Sequence, residues 1–197
     1  MTTSKLTATD VIQLAREKNV EMVDLKFIDV PSTLQHLSIP VSELTSELFE
    51  EGTGFDGSSI RGFQTIDESD MLLVPDPSTA ATNPVYDITT LNLICNVRDP
   101  QTDGNYSRDR RWVAQKAEAY LKSSGIGDIS YWGPELEFFI FDSARFDQNA
   151  RSGYYFMDSD EGVWNSGSEL SLSGDLNRAF RPRHKEGYFP APPTAIN

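Results

Sequence analysis

Gly133-Pro134-Glu135-Leu136-Glu137-Phe138-Phe139, continuing through Ile140, Phe141 and Asp142, places two carboxylates at i and i+2 inside an otherwise apolar run. Its branched and aromatic content predicts a strand. Successive strand side chains alternate, so Glu135, Glu137, Phe139 and Phe141 share one face and Leu136, Phe138 and Ile140 the other. Two carboxylates roughly 7 Å apart repel by about 2 kcal/mol at an effective dielectric near 20, and aromatic surroundings add a desolvation cost. A cation offsets both. Carboxylate oxygens suit Mg²⁺ or Mn²⁺ better than zinc, and Mg²⁺ commonly shares its coordination with substrate phosphates. A solvated sheet face would also accommodate two glutamates, so the pair alone leaves both readings open.

Around this stretch the chain is ordinary in all but charge. Its 197 residues suffice for one large domain or two small ones, and 38% hydrophobic with 24% charged content is that of a globular protein. Thirty acidic against 17 basic residues give a net charge of −13 and a pI near 4.5. That argues against nucleic acid or an anionic membrane as partner and leaves small cations and metal-nucleotide substrates open. Cys95 is the single cysteine, so no intrachain disulfide exists, and Leu93, Ile94 and Val97 around it suggest an inert strand residue. Without an apolar h-region near Met1 or a run of membrane-spanning length, a cytoplasmic location is the default expectation.

Upstream, Thr7 is placed to cap a helix with the apolar stripe Ala8, Val11, Ile12 and Ala15, ending near Asn19. Residues 21–29 read as a strand, 31–33 as a turn and 34–39 as the returning strand of a hairpin. A helix is expected over 41–50. Residues 51–70, rich in Gly, Ser and Asp without periodicity, read as a long loop, and loops of that length inside compact domains are usually functional or disordered. Strand character resumes at 71–74 and 90–98.

Asp99 to Tyr106 reads as a linker and the best domain boundary, dividing 1–105 from 106–197. Ser107 is expected to cap the next helix, with Val113, Ala117, Tyr120 and Leu121 as its buried stripe and Gly125 as its C-terminal stop. Beyond the Glu135/Glu137 strand, 154–164 is strand-like and 167–177 loop-like. The chain then ends in a proline-rich stretch, Tyr188 to Pro193, with no closing element, which suggests a fragment.

Five motifs in order, FEEGTGFDGSSIRGF at 49–63, IDESDM at 66–71, GPELEFFIFD at 133–142, EGVWNSG at 161–167 and KEGYFPAPP at 185–193, make the chain resemble the N-terminal part of bacterial-type (class I) glutamine synthetases. Nearly all 197 residues take part. Glu186, where the family commonly has Gly, and the drift of Thr194 to Asn197 are minor departures.

The resemblance implies an α+β fold: a β-grasp domain over 1–105, then the opening strands of a truncated catalytic domain built on a curved antiparallel sheet. It implies an ATP-dependent carbon–nitrogen ligase of nitrogen assimilation that joins glutamate and ammonium through γ-glutamyl phosphate, with ATP as co-substrate and Mg²⁺ or Mn²⁺ as cofactor. It further implies a homo-oligomer, a dodecamer of two hexameric rings, whose sites lie between neighbouring subunits. Glu135 matches the glutamate of the family's second metal site, close to the nucleotide phosphates, and Glu137 that of the first, close to the glutamate substrate. Asp56 matches the residue thought to bind ammonium and take its proton, with Ser59 and Tyr188 as neighbours. An aspartate with a reference pKa near 3.9 is a feeble base toward ammonium, so the transfer must be transient and trapped, or the pKa raised. The Asp56 loop is implied to reach a neighbouring subunit's site, so that Asp56 and Glu135 of one chain serve different sites. Two other readings share these motifs: a glutamate–amine or polyamine ligase, which retention of Asp56 and Ser59 disfavours, and a non-catalytic structural or regulatory homologue.

Other conspicuous residues have plain structural readings. His36 and His184 lack a second histidine at ligand spacing. Trp112, Trp132 and Trp164 suit a core or interface, and Arg108, Arg110 and Arg111 a solvated helix face. Gly52, Gly54 and Gly57 lack the strand–turn–helix setting of a phosphate loop.

Overall fold

The structure, a computed structural model, describes residues 5–159. These group into two compact units divided between Tyr131 and Trp132.

In the first unit, helix α1 (Ala8–Glu17) starts at Thr7, whose Oγ1 accepts from the Asp10 amide while Asp10 Oδ2 accepts from the Thr7 amide, a reciprocal cap. Its Val11 and Ala15 are buried. The hairpin of β1 (Met22–Ile28) and β2 (Leu34–Pro40) follows, in the register Asp24 opposite Ser38 and Lys26 opposite His36. The expected helix over 41–50 is interrupted: a 3-10 turn at Val41–Glu43 precedes α2 (Ser46–Glu50), which restarts at the Thr45 cap.

The sheet continues with β3 (Thr53–Asp56), β4 (Asp70–Pro75), the short β5 (Ala81–Thr82), β6 (Thr90–Asp99) and the short β7 (Gly104–Asn105). Its main order is β2-β1-β6-β4-β3, with β1 parallel to β6 and β4 antiparallel to it. One face is the core: Val23, Leu25 and Phe27 of β1, Leu91, Leu93, Cys95 and Val97 of β6, and Met71 and Leu73 of β4. Each large side chain so buried contributes on the order of 1.5–3 kcal/mol. Burial pushes the Cys95 thiol up to about 12, in keeping with an inert residue. The other face of β1 and β6 carries Met22, Asp24 and Lys26 beside Thr90, Asn92 and Ile94.

Four expectations need correction. Residues 51–70 are not one loop, since β3 occupies 53–56 and pairs with β4; its short Thr-Gly-Phe-Asp run carries too little apolar alternation to stand out. Helix α3 (Arg110–Ser124) is capped by Asp109, not Ser107, and ends at Gly125 in the left-handed region, φ 71°. None of its residues is buried, and Val113 and Tyr120 are exposed, so the apolar stripe lacks a covering layer among the described residues. Arg108, Arg110 and Arg111 are not merely solvated: they bind the Gly62 and Phe63 carbonyls, the Val30 carbonyl and Asp76 respectively. Long guanidinium side chains reach carbonyls in the turns at 30 and 62–63 that lie outside the strand ladders.

In the second unit, β8 (Ser143–Gln148) and β9 (Gly153–Asp158) form an antiparallel hairpin, joined through Asn149, whose Oδ1 accepts from the Arg151 and Ser152 amides. Residues 133–141, expected as a strand, join no ladder, because a strand needs a partner edge and none lies beside them among the described residues. The Phe139 and Phe141 rings stack at 6.2 Å and 17°, the i, i+2 relation of extended backbone. Tyr188, His184, Trp164 and the motifs at 161–167 and 185–193 lie outside the described residues.

Asp109 ties α3 to the sheet. Fully buried, it accepts from the Arg111 amide as helix cap and from the Val97 amide of β6. Removing it leaves a helix end uncapped and a buried N–H unpaired, so Asp109→Ala should cost about 3 kcal/mol. Asp109→Asn keeps one acceptor oxygen and turns an NH2 toward the other amide, so it should lose at least one of the two bonds and also destabilise. Urea unfolding checks this, and a loss near zero for Asp109→Ala would refute the bonding assigned to Asp109.

Candidate functional site

Asp56 closes β3 at the sheet edge, and the turn after it is shaped by what Gly57 meets. A Cβ on Gly57 would lie 2.6 Å from Met71 Cγ and 3.1 Å from the Ser69 carbonyl oxygen, and the Gly57 amide donates to that same carbonyl. Only glycine fits so close an approach. Phe55, one residue before Asp56, packs on Phe27 at 5.1 Å and Phe63 at 6.5 Å. Further along, the Phe63 carbonyl accepts from the Tyr106 hydroxyl at 2.5 Å and from Arg108 Nη1 at 2.9 Å. The Asp56 turn is thus fastened to the core at both ends.

The carboxylate is exposed and ringed by donors. Oδ1 accepts from the Ser58 hydroxyl at 2.6 Å and the Ser58 amide at 2.8 Å, and Oδ2 from the Ser59 hydroxyl at 2.8 Å. The Ser58 hydroxyl first, then the Ser59 hydroxyl and the Ser58 amide, hold the Asp56 pKa below the usual carboxylate value. Asp70 faces Asp56 across β3 and β4, adding negative charge at this edge. The arrangement keeps a fixed anion at the surface, suited to holding a small cation. Ser58, the chief partner of Asp56, was missed in the sequence, although Asp-Gly-Ser is a side-chain-stabilised turn pattern that announces such a bond.

Glu135 and Glu137 lie in the second unit, both exposed, in the extended 133–141 segment. Their carboxylate oxygens are hard donors of the kind Mg²⁺ or Mn²⁺ takes. Among the described residues, no cluster of three or more His, Cys, Asp or Glu could hold a metal ion. Ser59 is brought to Asp56; Tyr188 lies outside the described residues. His36 donates from Nδ1 to Asp24 Oδ1 at 2.7 Å, a structural use in place of metal binding.

Comparison with known proteins bears on both units. The family model for the glutamine synthetase β-grasp domain matches residues 19–100, and that for the glutamine synthetase catalytic domain matches 107–196. Glutamine synthetase of Nostoc sp. is 50% identical over 188 residues, 95% of this chain and 40% of the relative. That of Aquifex aeolicus is 51% identical over 189 residues, 96% of this chain and 39% of the relative. The chain therefore spans about two fifths of the length of these relatives. In fold, it is similar to the cryo-EM structure of Plasmodium falciparum glutamine synthetase, with a TM-score of 0.71 and 24% identity over 98% of this chain and 37% of that one.

The donor ring gives a titration test. With a folded pKa below the ordinary 3.8, the stabilisation from these bonds is present above that value and is lost as pH falls through the lower folded pKa. Ser58→Ala and Ser59→Ala should each raise the Asp56 pKa, Ser58→Ala by more, as followed by the NMR shift of the carboxyl carbon. A midpoint at or above 3.8 in the unsubstituted chain would contradict the geometry.

Proposed function

The chain belongs to the glutamine synthetase family, and from that premise we propose that it supplies the β-grasp domain (1–105) and the start of the catalytic domain (106–197) of an ATP-dependent glutamate–ammonia ligase. The observation that carries this reading is the Asp56 carboxylate, held ionised and exposed by Ser58 and Ser59 on a turn that only Gly57 permits. Its substrates are glutamate, ammonium and ATP, and its setting is a cytoplasmic dodecamer of two hexameric rings. No helix among the described residues is long and apolar enough to cross a membrane.

Asp56 captures ammonium by charge, with Ser59 and Tyr188 completing the pocket. Its lowered pKa makes it a weaker base than free aspartate. It therefore accepts a proton only as attack on the acyl phosphate proceeds, because ammonia released into that reaction is consumed before the proton can return. Glu135 and Glu137 would hold Mg²⁺ or Mn²⁺, which would supply positive charge to offset that of the phosphate oxygens. Glu135 would serve the second metal site and Glu137 the first, and bound cations would offset the repulsion between the two carboxylates.

The isolated 197-residue chain should not make glutamine, because a partial set of ligands does not preorganise phosphoryl transfer. ATP- and ammonium-dependent synthesis by the purified chain would refute this. In the full-length enzyme, Asp56→Ala should lose more ammonium-dependent turnover than acyl-phosphate formation, whereas Glu135→Ala and Glu137→Ala should impair the phosphoryl step and its Mg²⁺ dependence. Co-expressed Asp56→Ala and Glu135→Ala subunits should recover activity above either parent, since some sites would then combine intact groups from two chains. Verified mixed rings without such recovery would place Asp56 in its own chain's site or remove its assigned role.

A further inference from the structure

The two oxygens of Asp56 are not equally secured. Oδ1 receives the hydroxyl and the amide of Ser58, both two residues away within one tight turn, whereas Oδ2 receives the Ser59 hydroxyl alone, at 2.8 Å. Where Ser59 stands therefore decides whether Oδ2 has a donor. Ser59 ends the 3-10 turn Gly57–Ser59, and beyond it the chain runs to Phe63 as a relay of short bonds: the Ile60 amide donates to the Gly57 carbonyl at 3.2 Å and the Phe63 amide to the Ile60 carbonyl at 3.0 Å. No strand ladder supports residues 57–63. Gly62 lies at φ 83°, where a glycine adds backbone freedom rather than removing it.

Both ends of this relay are tied, but to different parts of the chain. At the near end β3 pairs with β4 and the Gly57 amide donates to the Ser69 carbonyl at 2.6 Å. At the far end a single nitrogen, Arg108 Nη1, donates to the Gly62 carbonyl at 2.7 Å and to the Phe63 carbonyl at 2.9 Å, and the buried Tyr106 hydroxyl donates to Phe63 as well. A charged donor makes the stronger kind of hydrogen bond, and Arg108 forms no ion pair among the described residues that would compete for it. Asp56 and Ser59 fall within the stretch matched by the β-grasp model, residues 19–100, while Arg108 falls within that matched by the catalytic-domain model, residues 107–196. Neither Tyr106 nor Arg108 hydrogen-bonds Asp56 itself.

We propose that Arg108, with Tyr106, is a positioning residue for Asp56 that acts through Ser59: by clamping the Gly62 and Phe63 carbonyls it holds the far end of the turn so that the Ser59 hydroxyl stays on Asp56 Oδ2. The first residues of the catalytic-domain match thereby set the pose of a carboxylate in the β-grasp domain. The purpose of that pose rests on the ammonium-binding reading of Asp56. The positioning itself is measurable whatever cation the carboxylate captures, and the turnover of Asp56→Ala tests the ammonium reading separately.

The test is a double-mutant cycle in the full chain, read as the titration midpoint of the Asp56 carboxyl carbon by NMR. Arg108→Ala should raise the midpoint, because a carboxylate that loses a donor to its charged form binds its proton more readily. With Ser59→Ala already present the same change should raise it little further, and with Ser58→Ala present the rise should persist. Asp70 across the ladder, Asp67 and Glu68 on the 3-10 turn packed against this one, and Arg61 within the segment also bear charge near Asp56; the variants leave all four in place, so their influence is common to both arms of the cycle. Tyr106→Phe, which removes the other donor to the Phe63 carbonyl, should repeat the pattern, and it carries the test if circular dichroism shows Arg108→Ala to be unfolded. An unmoved midpoint in the folded variants, or the same rise with and without the Ser59 hydroxyl, overturns the proposal.

Discussion

A single carbonyl oxygen, that of Phe63, holds the candidate site to the body of the first unit. It accepts from the buried Tyr106 hydroxyl and from Arg108, while the Phe63 ring packs on Phe27, Phe55 and Tyr106. Three elements far apart in sequence, the β1 strand, the Asp56 edge strand and the segment leading into α3, thereby meet at one residue. Short edge strands are weakly held by their own ladders, and β3 spans only four residues. Its position depends on the aromatic cluster behind it and on Gly57 seated against Met71 and Ser69. The acid at its end can then be exposed without being mobile in its hydrogen bonding.

That dependence leaves Asp56 a fixed, exposed carboxylate, which fits the cation-capturing role proposed for it. The ring of serine donors stabilises the ionised form, which strengthens attraction for a cation and lowers affinity for its proton in one stroke. A carboxylate tuned upward would hold a proton at the expense of the cation. The proposed use of ammonium requires the opposite order, capture first and proton loss only when the nitrogen has begun to bond elsewhere. The geometry around Asp56 therefore favours cation binding over basicity.

Much of the fold was legible in the sequence because its signals are local. Thr7 with Asp10, the Pro31–Thr33 turn and Gly125 declare helix starts, hairpins and stops through caps and special backbone angles, and the structure places them where expected. What escaped were features decided by distant partners. β3 exists because β4 pairs with it, and Asp109 outcompetes Ser107 as cap because the Val97 amide also needs an acceptor. The arginines at 108, 110 and 111 read as surface charge until the carbonyls of residues 62, 63 and 30 and the carboxylate of Asp76 are brought beside them. At the candidate site, Asp56 and Ser59 came from resemblance, whereas the dominant role of Ser58 emerges only from distances.

The 133–141 segment shows the same division between local pattern and distant partner. The Phe139 and Phe141 rings stack there as i, i+2 neighbours. Yet Leu136, Phe138 and Phe139 are largely exposed, so neither face is covered among the described residues. Alternation fixes which side chains share a face, while hydrogen-bonded partners fix whether that face is part of a sheet. Two glutamates on such a face are therefore tolerable in solvent as they stand. Inside a packed sheet the same repulsion would grow as water leaves, and binding of a cation would then become a condition for burying the face rather than a consequence of it.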